Sequence, residues 1–314
     1  MATDVILDCD PGHDDAIALL LALSAPDVIV RGVTTVAGNQ TLAKTTRNAL
    51  RVLALADRTD VPVASGMAEP MVRDLTIADH VHGESGLDGP DLPDPDADPA
   101  GDDAAAFIAR TAAEAGAAAD GDGLTLVPTG PLTNVGMLLK RYPEVESSLD
   151  RIVLMGGGMA DGNVTPAAEF NVFVDPEAAA LVFDADVPVT MVGLDATRAA
   201  RLPADEFGTV RGLGSTVAEV VADLLEFFLE FHREEFGWDG VPIHDACAVA
   251  EVIDPGVVET AAMNVAVETG GGPADGETVC DRRGVTGRDP NAHVATGIDR
   301  ERFLDLLLDG LRAY

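Results

Sequence analysis

Four aspartates lie close together near the start of the chain, in the segment DCDPGHDDAIALLLAL, which is otherwise mostly apolar. They are Asp8, Asp10, Asp14 and Asp15. Carboxylates this close repel one another, and the apolar flanks argue against a simple solvated acidic surface. Carboxylate and carbonyl oxygens are the ligands that Ca²⁺ and Mg²⁺ prefer. Together with a distant carboxylate and a carbonyl, Asp10 and Asp15 would therefore make a hard-cation site.

The Pro-Gly turn that follows Asp10 allows these side chains to face one point. Asp10 stands at the end of a predicted strand, whereas Asp14 and Asp15 open a predicted helix whose positive end favours carboxylates. Helix capping is the alternative role for Asp14 or Asp15, and it would be preferred if the motif stood alone. We expect strand alternation to turn Asp8 away from Asp10, and Asp8 is therefore left out of the site.

Three further motifs carry polar side chains that suit a binding site. In IHDACAVA, His244 and Asp245 open an apolar helix; in EFN, Glu169 and Asn171 stand two residues apart; and AGNQ contains Asn39. Each has an ordinary structural role as its alternative, namely a helix cap, a backbone contact or a turn. Their joint occurrence favours a functional site.

The elements that must position these residues alternate between strand and helix. Buried strands such as VILDCD and RIVLMGGG are continuous apolar runs, and amphipathic or apolar helices separate them. This pattern predicts an α/β fold with a doubly wound, mostly parallel, Rossmann-like sheet in a single domain over residues 1–314. Strand-like pieces at 257–268, 277–285 and 292–297 predict a small C-terminal β-hairpin region.

Ligand sites in such sheets lie outside the carboxyl ends of the strands. The motifs DCDPGHDD, AGNQ, PTGPLTN and GGGMADGN each follow a predicted strand. They are scattered along the sequence, and the predicted fold brings them to one edge. A long helix is expected at 215–236, and an irregular stretch at 159–174.

The charge of the chain is strongly unbalanced. Asp and Glu number 54 against 20 Lys and Arg, which gives a net charge of −34, and Lys44 and Lys140 are the only lysines. Such self-repulsion burdens a folded protein unless salt screens it, and the Debye length is about 3 Å at 1 M. We therefore expect a salt-rich cytosol like that of halophilic archaea. The same field argues against nucleic acid and anionic membranes as partners.

Other global features point to an ordinary intracellular protein. The cysteines, Cys9, Cys247 and Cys280, are widely spaced and lack a CxxC motif, so neither a disulfide framework nor a zinc site is expected. No apolar run approaches the ~20 residues of a membrane span. The first residues lead directly into a strand without a basic leader, which predicts a cytoplasmic location. The stretch 91–103 holds six aspartates and is interpreted as a solvated loop.

At this point the motifs carry a resemblance to a known family. DCDPGHDDA, VAGNQ, VHGESGLDGP, VPTGPLTN, MGGG, GNVTPAAEFNVFVDPEAA and HDACAVA resemble the inosine–uridine-preferring nucleoside hydrolases, in order and at suitable spacing. The match runs from about residue 4 to the C-terminal helix. The residues of the motifs VHGESGLDGP and TPAAEFN most resemble those of the branch that prefers pyrimidine ribonucleosides.

The resemblance implies one Ca²⁺ held by Asp10, Asp15, the main-chain carbonyl of Thr129 and Asp245, with waters and ribose hydroxyls completing the shell. A water on the ion is then the nucleophile and Asp10 its general base. Cleavage of an N-glycosidic bond passes through an oxocarbenium-like state, which a carboxylate-rich pocket stabilises. A cation would thus explain why the carboxylates lie together.

The same resemblance implies how a ribonucleoside would be bound. Asp14 and Asn39, next to Asp245, would bind the 2′ and 3′ side of the ribose, and Asn163, Glu169 and Asn171 the 5′-hydroxyl side.

The base would meet a separate group of residues. His244 would protonate the departing base or hydrogen-bond it, and His82 would lie on a mobile loop over it. The segment FHREEFGWDGVP is expected to form a second covering loop. In that segment Phe236 and Trp238 would either stack on the base or serve as a hydrophobic cap.

These features predict a ribonucleoside hydrolase that releases free base and ribose from uridine, cytidine or inosine, in nucleoside salvage or catabolism, as a homodimer or homotetramer. One alternative is a non-catalytic nucleoside-binding protein, which would lack the general base Asp10. A haloacid-dehalogenase-like phosphatase also begins with DxD but needs a lysine. A purine-specific hydrolase would lack His244.

Overall fold

The computed structural model of the chain describes residues 2–95, 97–117 and 123–314, and its centre is one eight-stranded sheet. The strands are β1 (Thr3–Cys9), β2 (Val28–Thr35), β3 (Val63–Ser65), β4 (Leu124–Pro128), β5 (Leu149–Met155), β6 (Val189–Val192), β7 (Arg201–Pro203), β8 (Gly240–Pro242), β9 (Val258–Met263), β10 (Val265–Val267), β11 (Thr278–Cys280) and β12 (Ala292–Ile298). The helices are α1 (His13–Ser24), α2 (Leu42–Leu55), α3 (Asp79–His82), α4 (Ala104–Gly116), α5 (Thr133–Arg141), α6 (Phe170–Val174), α7 (Pro176–Phe183), α8 (Leu194–Thr197), α9 (Phe207–Arg211), α10 (Thr216–Phe236), α11 (His244–Ile253) and α12 (Arg300–Arg312).

The order of the strands in the sheet is β3-β2-β1-β4-β5-β6-β12-β9. Every neighbouring pair from β3 to β12 is parallel, and β12 pairs with β9 in the antiparallel sense. The predicted doubly wound, mostly parallel sheet is therefore confirmed. Because the strand order reverses between β1 and β4, a crevice opens at the carboxyl ends of these two strands.

The C-terminal strands are divided between the central sheet and a separate pair. Strands β10 and β11 form an antiparallel two-stranded unit, which corresponds to the predicted hairpin region. Strands β9 and β12 instead extend the central sheet, and β12 lies between β6 and β9. Successive residues Val294 and Ala295 of β12 are both buried, as expected for an inner strand that is covered on both faces.

Helix α1 explains how acidic side chains reach the interior. Every residue from His13 to Ala22 is buried, and the helix packs against α11 and α12. A helix that is apolar on all sides belongs in the core, so the carboxylates in its first turn, Asp14 and Asp15, are buried with it. The acidic cluster is therefore a consequence of where the sheet places this helix.

Two local predictions need correction. Helix α10 ends at Phe236, which confirms the long helix expected at 215–236; the first half of FHREEFGWDGVP is therefore helical, and the covering loop expected over that whole segment shortens to 237–239. The stretch 159–174, predicted to be irregular, ends in helix α6, because Glu169 caps the N–H groups of that turn. Within the acidic stretch 91–103, Asp96 lies outside the described residues. In the part of the chain that the structure describes, no helix has the length and apolarity to cross a bilayer.

Candidate active site

A cavity of about 370 Å³ lies at the carboxyl ends of β1, β4 and β5, where the strand order reverses. It is lined by all the predicted site residues except Asp10 and Asp15, which are fully buried next to it. The lining members of that set are Asp14, Asn39, His82, Thr129, Asn163, Glu169, Asn171, His244 and Asp245. The fold thus brings to one place motifs that are up to about 230 residues apart in the chain.

Three carboxylates at the floor of the cavity are close enough to share one cation. Asp14 and Asp15 come from the start of α1 and Asp245 from the start of α11, and one oxygen of each lies within 4.8 Å of the others. Asp15 is held firmly: Oδ1 accepts from the Thr129 hydroxyl at 2.8 Å, and Oδ2 accepts from the amide of Asn39 at 3.1 Å. The predicted ligand set contained Asp10 and not Asp14. In the structure, Asp14 belongs to this group of three carboxylates.

Asp10 lies just behind this cluster and has one oxygen without a partner. Its Oδ2 accepts the backbone N–H of Asn39 at 2.6 Å, whereas Oδ1 is buried and has no hydrogen bond within the described residues. A Cβ atom at Gly38 or Gly130 would collide with these carboxylate oxygens, so the glycines preserve the space around them. Such an orphaned oxygen needs a partner, and for Asp10, which lies beside Asp14 and Asp15, a bound cation would supply one.

Four carboxyl groups are buried close together at this place. Among the described residues, no Lys, Arg or His forms an ion pair with Asp10, Asp14, Asp15 or Asp245. Burial and the neighbouring carboxylates raise the pKa of Asp10 and Asp245 well above the ordinary value. Burial is also the main reason that the pKa of Asp14 rises to about 7 and that of Asp15 to about 6. An all-oxygen site with this charge fits a hard divalent cation.

The amide and carboxylate on the opposite wall are fixed by the backbone. Asn171 donates through Nδ2 to the Thr129 carbonyl at 2.7 Å and to the Met155 carbonyl at 3.2 Å. Glu169 accepts the N–H groups of Gly157 at 2.9 Å and of Asn171 at 3.0 Å, and burial raises its pKa. These contacts are the backbone role that was the alternative for the EFN motif. Both residues nevertheless line the cavity.

The histidines of the site are held by residues that the sequence did not single out. The Nδ1 atom of His244 lies 2.6 Å from the hydroxyl of Thr197, and burial is the main reason that its pKa falls to about 3. The Nδ1 atom of His82 lies 3.0 Å from Nδ1 of His13. His82 is the last residue of α3 and is buried, so it is more enclosed than the predicted loop position implies.

The remaining wall of the cavity is aromatic and comes from the end of α10. Phe228, Phe231, Phe236 and Trp238 line it, and the rings of Phe236 and Trp238 stack with their centroids 4.7 Å apart. Their position in the lining is compatible with both predicted roles, stacking on a base and capping. A planar ring would meet this wall, whereas a polyhydroxyl group would meet the carboxylates and amides.

Asp8 lies outside the cavity, but the reason we expected is wrong. Residues two apart in a strand share a face, so alternation does not separate Asp8 from Asp10. What separates them is the end of β1 at Cys9, after which the chain turns. The Oδ1 atom of Asp8 accepts hydrogen bonds from Thr34 at 2.6 Å and from Asn134 at 2.7 Å. Asp8 therefore links β1 to β2 and to α5.

Fold and cavity together define a class of α/β enzyme in which a carboxylate cluster suited to a cation lies beneath a pocket with one polar and one aromatic side. The chain belongs to the inosine-uridine preferring nucleoside hydrolase family, whose sequence model matches residues 5–305. The predicted resemblance and the assignment as an enzyme, a ribonucleoside hydrolase, are thereby confirmed. The phosphatase alternative is wrong.

Individual relatives agree with this assignment over the whole chain. The pyrimidine-specific ribonucleoside hydrolase RihA of Escherichia coli O7:K1 is 50% identical over 315 residues, which cover 100% of both chains. Among solved structures, a purine-preferring ribonucleoside hydrolase from Gardnerella vaginalis has a TM-score of 0.92 at 32% identity, covering 99% of this chain and 98% of its own. The plant nucleoside hydrolase PpNRh1 has a TM-score of 0.92 at 30% identity, with both chains covered completely.

Proposed function

We propose that the chain hydrolyses the N-glycosidic bond of pyrimidine ribonucleosides, with Ca²⁺ as its metal, to give free base and ribose. The observation that carries this proposal is a set of buried carboxylates that have no basic partner among the described residues, next to a cavity that also has aromatic lining residues. Carboxylates stabilise the positive charge that develops on the ribose as the bond breaks. The aromatic wall suits the planar base.

The proposed ligands of the cation are Asp10, Asp15, Asp245 and the main-chain carbonyl of Thr129. Support comes from the all-oxygen donor set and from the Oδ1 atom of Asp10, which has no hydrogen-bond partner among the described residues. When bound, a calcium ion would neutralise the carboxylates and make a water molecule easier to deprotonate. Asp14 belongs to the same close group of carboxylates. We propose that it lies next to the ion and contacts the ribose.

One of the protein groups around the ribose accepts a proton, and the others bind the sugar. Asp10 accepts the proton of the attacking water, as a general base does. Asp14, Asn39 and Asp245 hold the 2′ and 3′ hydroxyls, since these side chains line the cavity at its carboxylate floor.

The opposite wall holds the 5′ side of the ribose. Asn163, Glu169 and Asn171 line that wall. Their backbone contacts keep the oxygens in place before substrate binds, which lowers the cost of organising the site.

The base is held on the other side of the cavity. His244 donates a hydrogen bond to the leaving base, and His82 contacts the base from the end of α3. Phe236 and Trp238 stack on the ring from the end of α10. The preference for pyrimidines is supported by the full-length identity of 50% to a pyrimidine-specific hydrolase, compared with 32% to a purine-preferring one.

The experiment that tests this proposal is steady-state hydrolysis of uridine, cytidine, inosine and adenosine in molar KCl, with Ca²⁺ or with a chelator. We expect kcat/KM to be highest for uridine or cytidine and to vanish with the chelator. Inosine or adenosine as the best substrate would support the purine-preferring alternative. Binding of nucleosides without release of ribose would mean a binding protein.

The cellular setting follows from the charge of the chain. Because the net charge is −34, we propose that the enzyme works in a salt-rich cytosol. We also propose that it serves nucleoside salvage or catabolism and that it assembles as a homodimer or homotetramer. Light scattering after size-exclusion chromatography in molar KCl tests the assembly, and a monomer would contradict it.

A further inference from the structure

Thr197 contacts His244 and is not part of the cavity lining. It is the last residue of α8, the short helix that follows β6, and its side chain is fully buried. Its hydroxyl oxygen lies 2.6 Å from Nδ1 of His244. The two residues are 47 positions apart, so the contact exists only because α8 and α11 meet beside the cavity.

The hydrogen-bonding needs of the Thr197 hydroxyl decide which imidazole nitrogen carries the proton. Within the described residues, Nδ1 of His244 is the only partner that this hydroxyl has. If Nδ1 were protonated, it would donate to the hydroxyl oxygen, and the hydroxyl hydrogen would be buried without an acceptor. Such an unsatisfied group costs about 1–3 kcal/mol. The hydroxyl therefore donates to Nδ1, and the imidazole proton is on Nε2.

The Nε2 atom of His244 is the one available to a ligand. It has no hydrogen-bond partner among the described residues, and it is not fully buried. Since His244 lines the cavity, Nε2 is accessible from there. An N–H group at Nε2 can therefore reach a ligand in the cavity, whose lining also includes the aromatic side chains proposed to hold the base.

We propose that Thr197 is a positioning residue that fixes His244 in the tautomer with its proton on Nε2, so that this N–H stabilises the leaving base. The inference rests on the proposed function. When the bond between C1′ and the base nitrogen breaks, its electron pair stays on the base, and water supplies the hydroxyl group to C1′ and a proton to the base. A donor aimed at the developing negative charge is worth about 10²–10³ in rate in comparable sites.

The test compares two substrates that differ in their need for this donor. Uridine releases uracil, a poor leaving group, whereas p-nitrophenyl riboside releases a stable nitrophenolate. Thr197→Val keeps the size of the side chain and removes the hydroxyl. We expect kcat/KM for uridine to fall roughly 10–100-fold and that for p-nitrophenyl riboside to change less than about threefold. Thr197→Ser retains the hydroxyl and should restore the uridine rate to within about threefold.

Two controls separate this effect from general damage. Thr125→Val removes another fully buried threonine hydroxyl, in β4 and outside the cavity lining, and should leave the ratio of the two rates unchanged. Imidazole nitrogen NMR, assigned with His244→Ala, should show a protonated Nε2 in the wild type. In Thr197→Val the Nδ1 signal should shift towards the protonated form.

Equal losses for both substrates in Thr197→Val, or a wild-type spectrum with the proton on Nδ1, would overturn the inference. If the wild-type protein cleaves no nucleoside, the proposed function fails, and the nitrogen spectrum still decides whether Thr197 sets the tautomer.

Discussion

Replacing Asp10 with asparagine removes one negative charge from the carboxylate cluster and preserves the shape of the side chain. In the wild type, Oδ2 of Asp10 accepts the N–H of Asn39 at 2.6 Å, and Oδ1 has no partner within the described residues. The amide oxygen of an asparagine can keep the first contact. Its NH₂ group then takes the position of Oδ1 next to Gly130. We therefore expect Asp10→Asn to fold.

The catalytic loss should appear in kcat. An amide cannot accept the proton of the attacking water, and removal of a general base typically costs about 10²–10⁴ in rate. This range corresponds to about 2.7–5.5 kcal/mol of transition-state stabilisation. Because Asp10 does not line the cavity, KM should change much less than kcat.

The stability of the variant should depend less on calcium than that of the wild type. Burial and the charge of Asp15 raise the pKa of Asp10, so ionised Asp10 destabilises the folded state at pH 7 when no cation is bound. The neutral amide avoids this cost. Without calcium the variant should therefore melt at a higher temperature than the wild type. With calcium the wild type should gain more, because a cation at 100 times its Kd adds about 2.7 kcal/mol.

The assay is kcat and KM for uridine together with melting curves in molar KCl, with Ca²⁺ or with a chelator, and the calcium content of each sample. Asp8→Asn is the matched control. Asp8 is also fully buried, one of its oxygens also lacks a partner, and burial raises its pKa to about 6, but it lies outside the cavity lining. This control should retain kcat and the calcium response of the wild type.

Two outcomes would refute the reasoning about Asp10. A variant with full calcium and a kcat near that of the wild type would remove Asp10 from proton transfer. If Asp8→Asn lost activity as severely, the loss would reflect disturbance of β1 and not chemistry at Asp10.

Three further predictions concern the metal, the salt and His244. Elemental analysis of protein purified without chelator should find about one calcium per chain, since every proposed ligand is an oxygen; stoichiometric zinc, or no divalent metal, would contradict this. The melting temperature should rise with KCl up to about molar concentration, because −34 charges repel one another at low salt; a flat or falling series would contradict the halophilic interpretation. His244→Ala should lower kcat for uridine by about 10²–10⁴ and barely change hydrolysis of p-nitrophenyl riboside. Equal losses of kcat for the two substrates would mean that His244 has a structural role.

The sequence by itself determined the parts of the fold and site that are local. Apolar runs predicted the parallel strands, because strands covered on both faces cannot alternate in polarity. The positions of Asp10 after β1 and of Thr129 after β4 followed from the end of each run. Asp175 and Pro176 at the start of α7 were also predictable, since capping depends on neighbouring residues.

Only the tertiary structure decided which distant side chains meet. Asp15 and the Thr129 hydroxyl are 114 residues apart, and Thr197 and His244 are 47 apart. No periodicity records such pairs, because they depend on how packed helices and strands are oriented. For the same reason the structure placed Asp14 beside Asp245 in the carboxylate cluster. Local patterns report burial and turn chemistry, whereas contacts between distant elements are set when the core packs around the sheet.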